Sequence, residues 1–284
     1  MLLPIVAYFV IFNYIPMAGI VMAFERFVPT KGVLFSPWIG FKNFTDFFSS
    51  YYFFRLIRNT FLLSFYDMIF GFPAPIIFAL LLNEIKNKAF KKTIQTISYM
   101  PYFISLVVIA GIIVDFTSST GAITNLVVAL GGQRRNLLDD PSLFRTIFVS
   151  SNVWQSFGYG SIIYLAALSS IDQQLYEAAE IDGANRWKQT WHITLPGIAP
   201  TIIILLILRV GSLLNVGFEK VILLYNPATY ETADVISSFV YRKGLLEFNY
   251  GYSTAVGLFN SVISLILIFA TNKICKKFTE TSLF

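Results

Sequence analysis

Residues 172–196 read Asp-Gln-Gln-Leu-Tyr-Glu-Ala-Ala-Glu-Ile-Asp-Gly-Ala-Asn-Arg-Trp-Lys-Gln-Thr-Trp-His-Ile-Thr-Leu-Pro. A short helix is predicted from about Gln173 to Asp182, with Asp172 as its N-cap because a carboxylate there accepts an otherwise unpaired backbone N–H. Gly183 supplies the positive-φ residue that reverses the chain. A second short helix starts near Asn185 and places Trp187 and Trp191 on one face, four residues apart. Pro196, lacking an N–H, is expected to stop it. Two short helices joined by a glycine form a compact knob suited to a socket on a soluble partner.

Apolar runs flank this polar stretch, at 146–171 and 198–218. Four more lie further out, at 2–24, 59–82, 93–114 and 248–272. Each approaches the roughly 20 apolar residues that a helix needs to cross a hydrocarbon layer. Composition agrees. The 284 residues are 56% hydrophobic, 17% aromatic and only 13% charged, against about 25% charged in soluble domains. A soluble globule of this length has no core large enough for that apolar surface. One cysteine and no polar low-complexity tract exclude a disulfide scaffold and disorder. The expected fold is therefore all-α and membrane-embedded, with six transmembrane helices in one domain over 1–284. The first run has no basic n-region and no small-residue cleavage site, so it reads as a span and not as a secretory signal.

Net charge is +5, but the cations are scattered through short linkers. They read as membrane-surface residues and not as a nucleic-acid footprint. Linkers 83–92, 172–197 and 273–284 hold Lys86, Lys88, Lys91, Lys92, Arg186, Lys188, Lys273, Lys276 and Lys277. The other linkers hold eleven cations over almost twice the length. The denser set is assigned to the cytoplasm together with both termini. In 25–58, Phe44, Phe47, Phe48, Tyr51 and Tyr52 recur at helical spacing, which predicts an amphipathic helix in the outer interface.

Glu177-Ala178-Ala179, three residues, Gly183, nine residues, Ile193, one residue, then Leu195-Pro196 resembles the EAA loop of ATP-binding-cassette importer permeases, without gap or mismatch. The resemblance spans nearly the whole chain. Trp38-Ile-Gly-Phe-Lys-Asn-Phe44, Asn59-Thr60, Leu81-Leu-Asn-Glu-Ile-Lys86, Tyr99-Met-Pro101, Ile163-Tyr-Leu-Ala-Ala-Leu168 and Tyr225-Asn-Pro227 are similar to the branch serving oligosaccharides, including uronate-type saccharides. The resemblance implies a type I importer transmembrane domain whose helix-turn-helix coupling loop is cytoplasmic. It further implies a second homologous permease, usually a different chain, two cytoplasmic ATPase subunits carrying ATP and Mg, and an extracytoplasmic solute-binding lipoprotein, all at a bacterial cytoplasmic membrane. Glu177 would face a basic or donor group on the ATPase. Ala178 and Ala179 would permit close packing, and Gly183 would make the turn. Asp182 either braces the loop through the backbone or Arg186, or is a solvated acid. Trp187 and Trp191 are expected to pack the loop against the membrane ends of other spans.

The chain contains no G-x-x-x-x-G-K-[ST] loop, so no phosphate cradle of the usual kind is available. His192 is the sole histidine. No metal cluster and no Ser-His-Asp arrangement is therefore expected, and no cofactor bound by this chain. Candidate pathway residues are Asn152, Trp154, Gln155 and Tyr159 in the fourth run, Arg209 and Asn215 in the fifth, and Asn260 in the sixth. Aromatic faces suit sugar C–H surfaces, and amides suit hydroxyls. Arg209 and Asp67 are ionisable groups inside apolar runs, costly unless they face protein or water. Arg209 either binds an acidic sugar in the pathway or forms an ion pair with Asp67 or a partner subunit, and the ion pair is the plainer reading. Import of a non-sugar solute and a membrane assembly role without transport remain as alternatives.

Overall fold

The computed structural model describes residues 2–214 and 216–279. In chain order the principal helices are α1 (Leu3–Phe24), α2 (Lys42–Phe48), α3 (Phe53–Glu84), α4 (Lys88–Tyr99) and α5 (Leu106–Ala129). They continue with α6 (Pro141–Ser169), α7 (Gln173–Ile181), α8 (Arg186–Gly211), α9 (Phe218–Leu224), α10 (Ile236–Tyr241) and α11 (Tyr250–Thr279). Among the described residues the one β-type pairing is an antiparallel bridge between Glu25 and Trp38. Helices α1, α3, α5, α8 and α11 are long and apolar enough to cross a membrane. Their outer faces leave Ile5, Phe12, Phe70, Val107, Leu208 and Phe269 exposed. Such a surface requires a lipid solvent, where helices satisfy all backbone groups internally. The protein is a multi-pass membrane protein.

The predicted fourth run, 146–171, lies almost wholly within α6 and ends at Ser169. With 29 residues, α6 reaches about 43 Å at ~1.5 Å per residue. Ser150, Ser151, Asn152, Gln155, Ser156 and Ser161 dilute its hydropathy. Asp140 caps it, accepting from the Ser142 N–H at 2.8 Å and the Ser142 hydroxyl at 2.7 Å. Those two hydrogen bonds favour the carboxylate and hold the Asp140 pKa below its ordinary value. Phe144, Phe148, Ser151, Gly158, Ser161 and Leu168 are buried at spacings of three, four and seven, so one stripe of α6 is packed along its length. A Cβ built on Gly158 would collide with the Ser98 carbonyl oxygen of α4. Substituting Gly158→Ala is therefore expected to cost about 1–3 kcal/mol or more by overpacking. The Gly111→Ala control meets nothing within 4 Å. Detergent size-exclusion profiles check this: a monodisperse Gly158→Ala protein as heat-stable as the control refutes the close crossing.

Two predicted runs need correction. The third, 93–114, is not one helix. Met100–Phe103 forms a 3₁₀ turn with Pro101 in its first turn, and Ser105 then caps α5 through the Val108 N–H. The proline breaks the amide ladder, and the apolar helix runs Leu106–Ala129 instead. The fifth run does not begin after Pro196. The second loop helix and the span are one helix, α8, and Pro196 sits inside it. Thr190–Thr194 widens to a π turn, with the Leu195 N–H donating to the Thr190 oxygen five residues back. The same device precedes Pro16, where Val10–Tyr14 is a π turn and the Ile15 N–H donates to the Val10 oxygen. A wider turn moves the carbonyl that a proline ring would strike, so the helix continues.

The aromatic linker does form a helix, α2, but its rings are not confined to an interface. Phe47 is wholly buried against Leu56, Ile236, Phe239 and Val256, and its ring lies 5.1 Å from Phe53 and 5.6 Å from Phe259. Asn43 donates to the Ala23 and Glu25 carbonyls at 2.9 and 3.1 Å. This segment locks the end of α1 against α11.

Candidate functional site

The loop between α6 and α8 forms as its capping chemistry dictates. Asp172 accepts the Gln174 N–H at 3.0 Å to start α7. At its end Gly183 adopts φ +74. The Gly183 N–H donates to Glu180 O at 3.1 Å and the Ala184 N–H to Ala179 O at 2.8 Å, the paired bonds of a Schellman ending. Asn185 then caps α8 through the Lys188 N–H at 2.9 Å. The base of the knob is fixed. Tyr176 Oη and Thr194 Oγ1 lie 3.0 Å apart, and Tyr176 and Ile193 pack on Ala79, Tyr164, Leu168 and Ile198. Its tip is bare. Ile181 is 88% exposed, with Glu177, Ala178, Asp182 and Gly183 exposed around it. Glu177 and Glu180 face Asn83, Glu84 and Lys86 across a cleft of about 330 Å³. The base of the knob is thus packed on α3, α6 and α8 while its tip stays exposed.

Arg186 pairs with Glu180 at 3.4 Å, and Asp182 has no side-chain partner among the described residues. Trp187 and Trp191 do not pack on other spans as expected. They meet each other edge-on, ring centroids 5.9 Å apart, and stay exposed.

A second polar feature lies between α3, α6 and α8. A cavity of about 130 Å³ is lined by Asp67, Asn152, Arg209 and Ser212, with Leu63, Ser64, Phe148 and Gly217 around them. Arg209 Nη2 pairs with Asp67 Oδ2. Asn152 Nδ2 donates to Asp67 Oδ1 at 3.2 Å, while its Oδ1 accepts from Lys220 Nζ at 2.6 Å. Lys220, on α9 beyond the apolar run of α8, is only 4% exposed. Its ammonium also sits 5.6 Å from the centre of the Phe148 ring. Burial pushes its pKa down, to about 8.

The remaining candidates do not converge there. Trp154 points into two apolar clefts on another side of α6. Tyr159 stacks on Tyr102 with ring centres 3.9 Å apart, and Phe103 meets it edge-on at 5.6 Å. The break at Pro101 brings that pair together. Gln155 is half-buried. Asn260 lines a separate pocket of about 370 Å³ with Phe218, Tyr241 and Tyr250. Asn215 lies outside the described residues. The sequence gives no signal for Ser64, and for Lys220 only its place directly after an apolar run.

A third cluster joins segments far apart in sequence. The fully buried Asp234 carboxylate receives Arg242 at 2.6 Å and Arg55 at 3.4 Å, and Ser238 Oγ donates to it at 2.8 Å. Asn59 donates to the Glu231 and Asp234 carbonyls at 2.8 and 3.1 Å and accepts from Arg145 at 2.9 Å. Burial disfavours the Arg242 charge, but the hydrogen bond to Asp234 and its charge outweigh that and raise the Arg242 pKa. This hub ties the loop before α10 to α3 and α6.

Residues 71–279 match the sequence profile of the family described as binding-protein-dependent transport system inner membrane component. Protein LplB of Bacillus subtilis (strain 168) is 48% identical over 285 residues, spanning 100% of this chain and 90% of its own. The polygalacturonan/rhamnogalacturonan transport system permease protein YteP of the same organism is 43% identical over 285 residues, spanning 100% and 89%. The crystal structure of a bacterial alginate ABC transporter in complex with an alginate pentasaccharide-bound periplasmic protein contains a chain that superposes with a TM-score of 0.92. That chain is 46% identical, and the match covers 100% of this chain and 95% of that one.

Proposed function

Because the chain belongs to the family of binding-protein-dependent transport system inner membrane components, we propose that it is one permease half of an ATP-driven importer for acidic oligosaccharides. Polygalacturonan and alginate, named for its relatives, are both polyuronates. Six spans, with α6 among them, would enclose half of a pathway, and a second permease chain would complete it. The termini and the α7–α8 loop would face the cytoplasm, where two ATPase subunits hold ATP and Mg. A solute-binding lipoprotein would deliver the saccharide from outside. The observation that carries this reading is the knob itself, a rigidly based helix-turn-helix with Ile181 bare at its tip. Exposed apolar side chains ringed by polar ones mark protein docking sites.

In mechanism the chain is a mechanical element and not an enzyme. ATP-driven closure would push the loops of the two permeases together. Tyr176 and Ile193 would pass that displacement into α6 and α8, rocking the bundle between inward- and outward-open forms. Glu177, Ala178, Ala179, Asp182 and Gly183 would form the docking face, and Ile193, Leu195 and Pro196 its base. The test is affinity purification of the tagged chain from its native membrane in mild detergent, with mass spectrometry of what comes with it. Recovery of a second multi-span permease, an ATPase and a lipoprotein is expected. Recovery of the chain without an ATPase refutes the importer reading.

A further inference from the structure

The charges that line the cavity between α3, α6 and α8 cancel, but a buried cation outside its lining reaches one of the lining residues. Asp67 is matched by Arg209. Lys220 has only neutral partners among the described residues, the Asn152 amide oxygen and the Phe148 ring. Glu219, its neighbour, is exposed and makes no ion pair among them. One unit of positive charge is thus left over beside a polar cavity, and a buried cation without a counter-ion is costly unless something anionic arrives. A second observation is independent of charge. Ser64 belongs to the wall of the same cavity, with its Oγ buried beneath that surface and without a hydrogen-bond partner, and such a group raises the question of what normally satisfies it. Arg209 itself is bound to Asp67 through one nitrogen, and its side chain is 46% exposed.

We propose that this cavity is a carboxylate subsite, in which one uronate carboxylate meets Arg209 and Ser64 and is held by the surplus charge that Lys220 supplies from behind Asn152. The size fits: the cavity of about 130 Å³ has room for a carboxylate. The charge fits as well. One surplus cation matches a carboxylate and falls short of the roughly −1.5 to −2 of a phosphate monoester. Lys220 is a positioning residue here. It acts through Asn152 and through its field, without touching the sugar. The inference rests on the importer reading and adds the place where acidity is sensed.

The experiment uses the importer complex purified with its ATPase, to which binding protein is added only for the uptake measurement. Binding of fluorescently tagged tetragalacturonate, and of the same chain as its neutral methyl ester, is read by polarisation on detergent-purified complex without binding protein. ATP-driven uptake of tetragalacturonate is read in proteoliposomes. Lys220→Met is expected to weaken binding of the acid by about tenfold or more, the scale of removing one desolvated charge partner, with the ester unchanged. Lys220→Arg should retain acid preference, and Ser64→Ala, which keeps every charge, should lose part of it. Asp67→Asn, which frees Arg209, should shift preference further towards the acid. Equal weakening for acid and ester in Lys220→Met, or wild-type preference in that variant, overturns the subsite and leaves the importer reading standing. Wild-type complex that takes up no tetragalacturonate with ATP and binding protein present overturns both.

Discussion

Gly183→Val is expected to abolish coupled uptake. Gly183 holds φ +74 at the turn between α7 and α8. An L-residue in that region costs about 1–2 kcal/mol, and a β-branched side chain makes it a steric outlier. A built Cβ at Gly183 meets nothing within 4 Å, so the cost is conformational and not a clash. If the docking-competent loop loses 1.4–2.8 kcal/mol, its population falls roughly ten- to hundredfold. The size of the effect should follow backbone tolerance. Gly183→Asn should keep most activity, since asparagine visits the left-handed region; Gly183→Ala should be intermediate; Gly183→Val should be worst. Uptake and ATPase activity measured side by side in proteoliposomes decide it. The importer reading requires that uptake fall while the complex still assembles. A valine variant with wild-type uptake means the turn does not transmit force.

Asp234→Asn should be the most destabilising single change outside the spans. The carboxylate is fully buried and pairs with Arg242 and Arg55 at 2.6 and 3.4 Å. Removing one partner of a buried charge pair strands the others, at about 3–5 kcal/mol. Asparagine is nearly isosteric, so lost volume contributes little. Heating the detergent-solubilised protein and following its monodisperse peak measures the loss. A double variant, Asp234→Asn with Arg242→Gln, should recover part of it, because it also removes the nearer stranded cation. An Asp234→Asn protein that melts with the wild type shows that the hub does not hold this loop. A second site would then have to fasten α10 to α3.

How far the sequence reaches differs between the two candidate sites. The knob was legible almost residue by residue. Asp172, Gly183 and Asn185 act on backbone groups within four positions of themselves, and caps and turns need no distant partner. The cavity was legible only in part. Asn152 and Arg209 were identifiable as polar groups in apolar runs, and the Asp67 pairing was one of several readings. Lys220 and Ser64 were not, because their meaning comes from which helices lie beside them. Trp154 illustrates the converse. It lies two positions from Asn152 on the same helix, about 200° around the axis at 3.6 residues per turn, and it opens onto apolar clefts instead.

The sequence by itself determined the solvent, the helical class and the shape of the loop. Hydropathy averages over some 20 residues, and capping acts within one turn, so both are local sums that survive without knowing the neighbours. Tertiary structure decided the rest. It split the third apolar run at Pro101, carried α8 through Pro196 on a π turn, and buried Phe47 where an interface had been expected. It also joined Asp67 to Arg209 across 142 positions and Arg55 to Asp234 across 179. Packing chose those partners, because the energy of a charge or a ring is set by what stands within a few ångströms of it, and in a helical bundle those neighbours come from elsewhere in the chain.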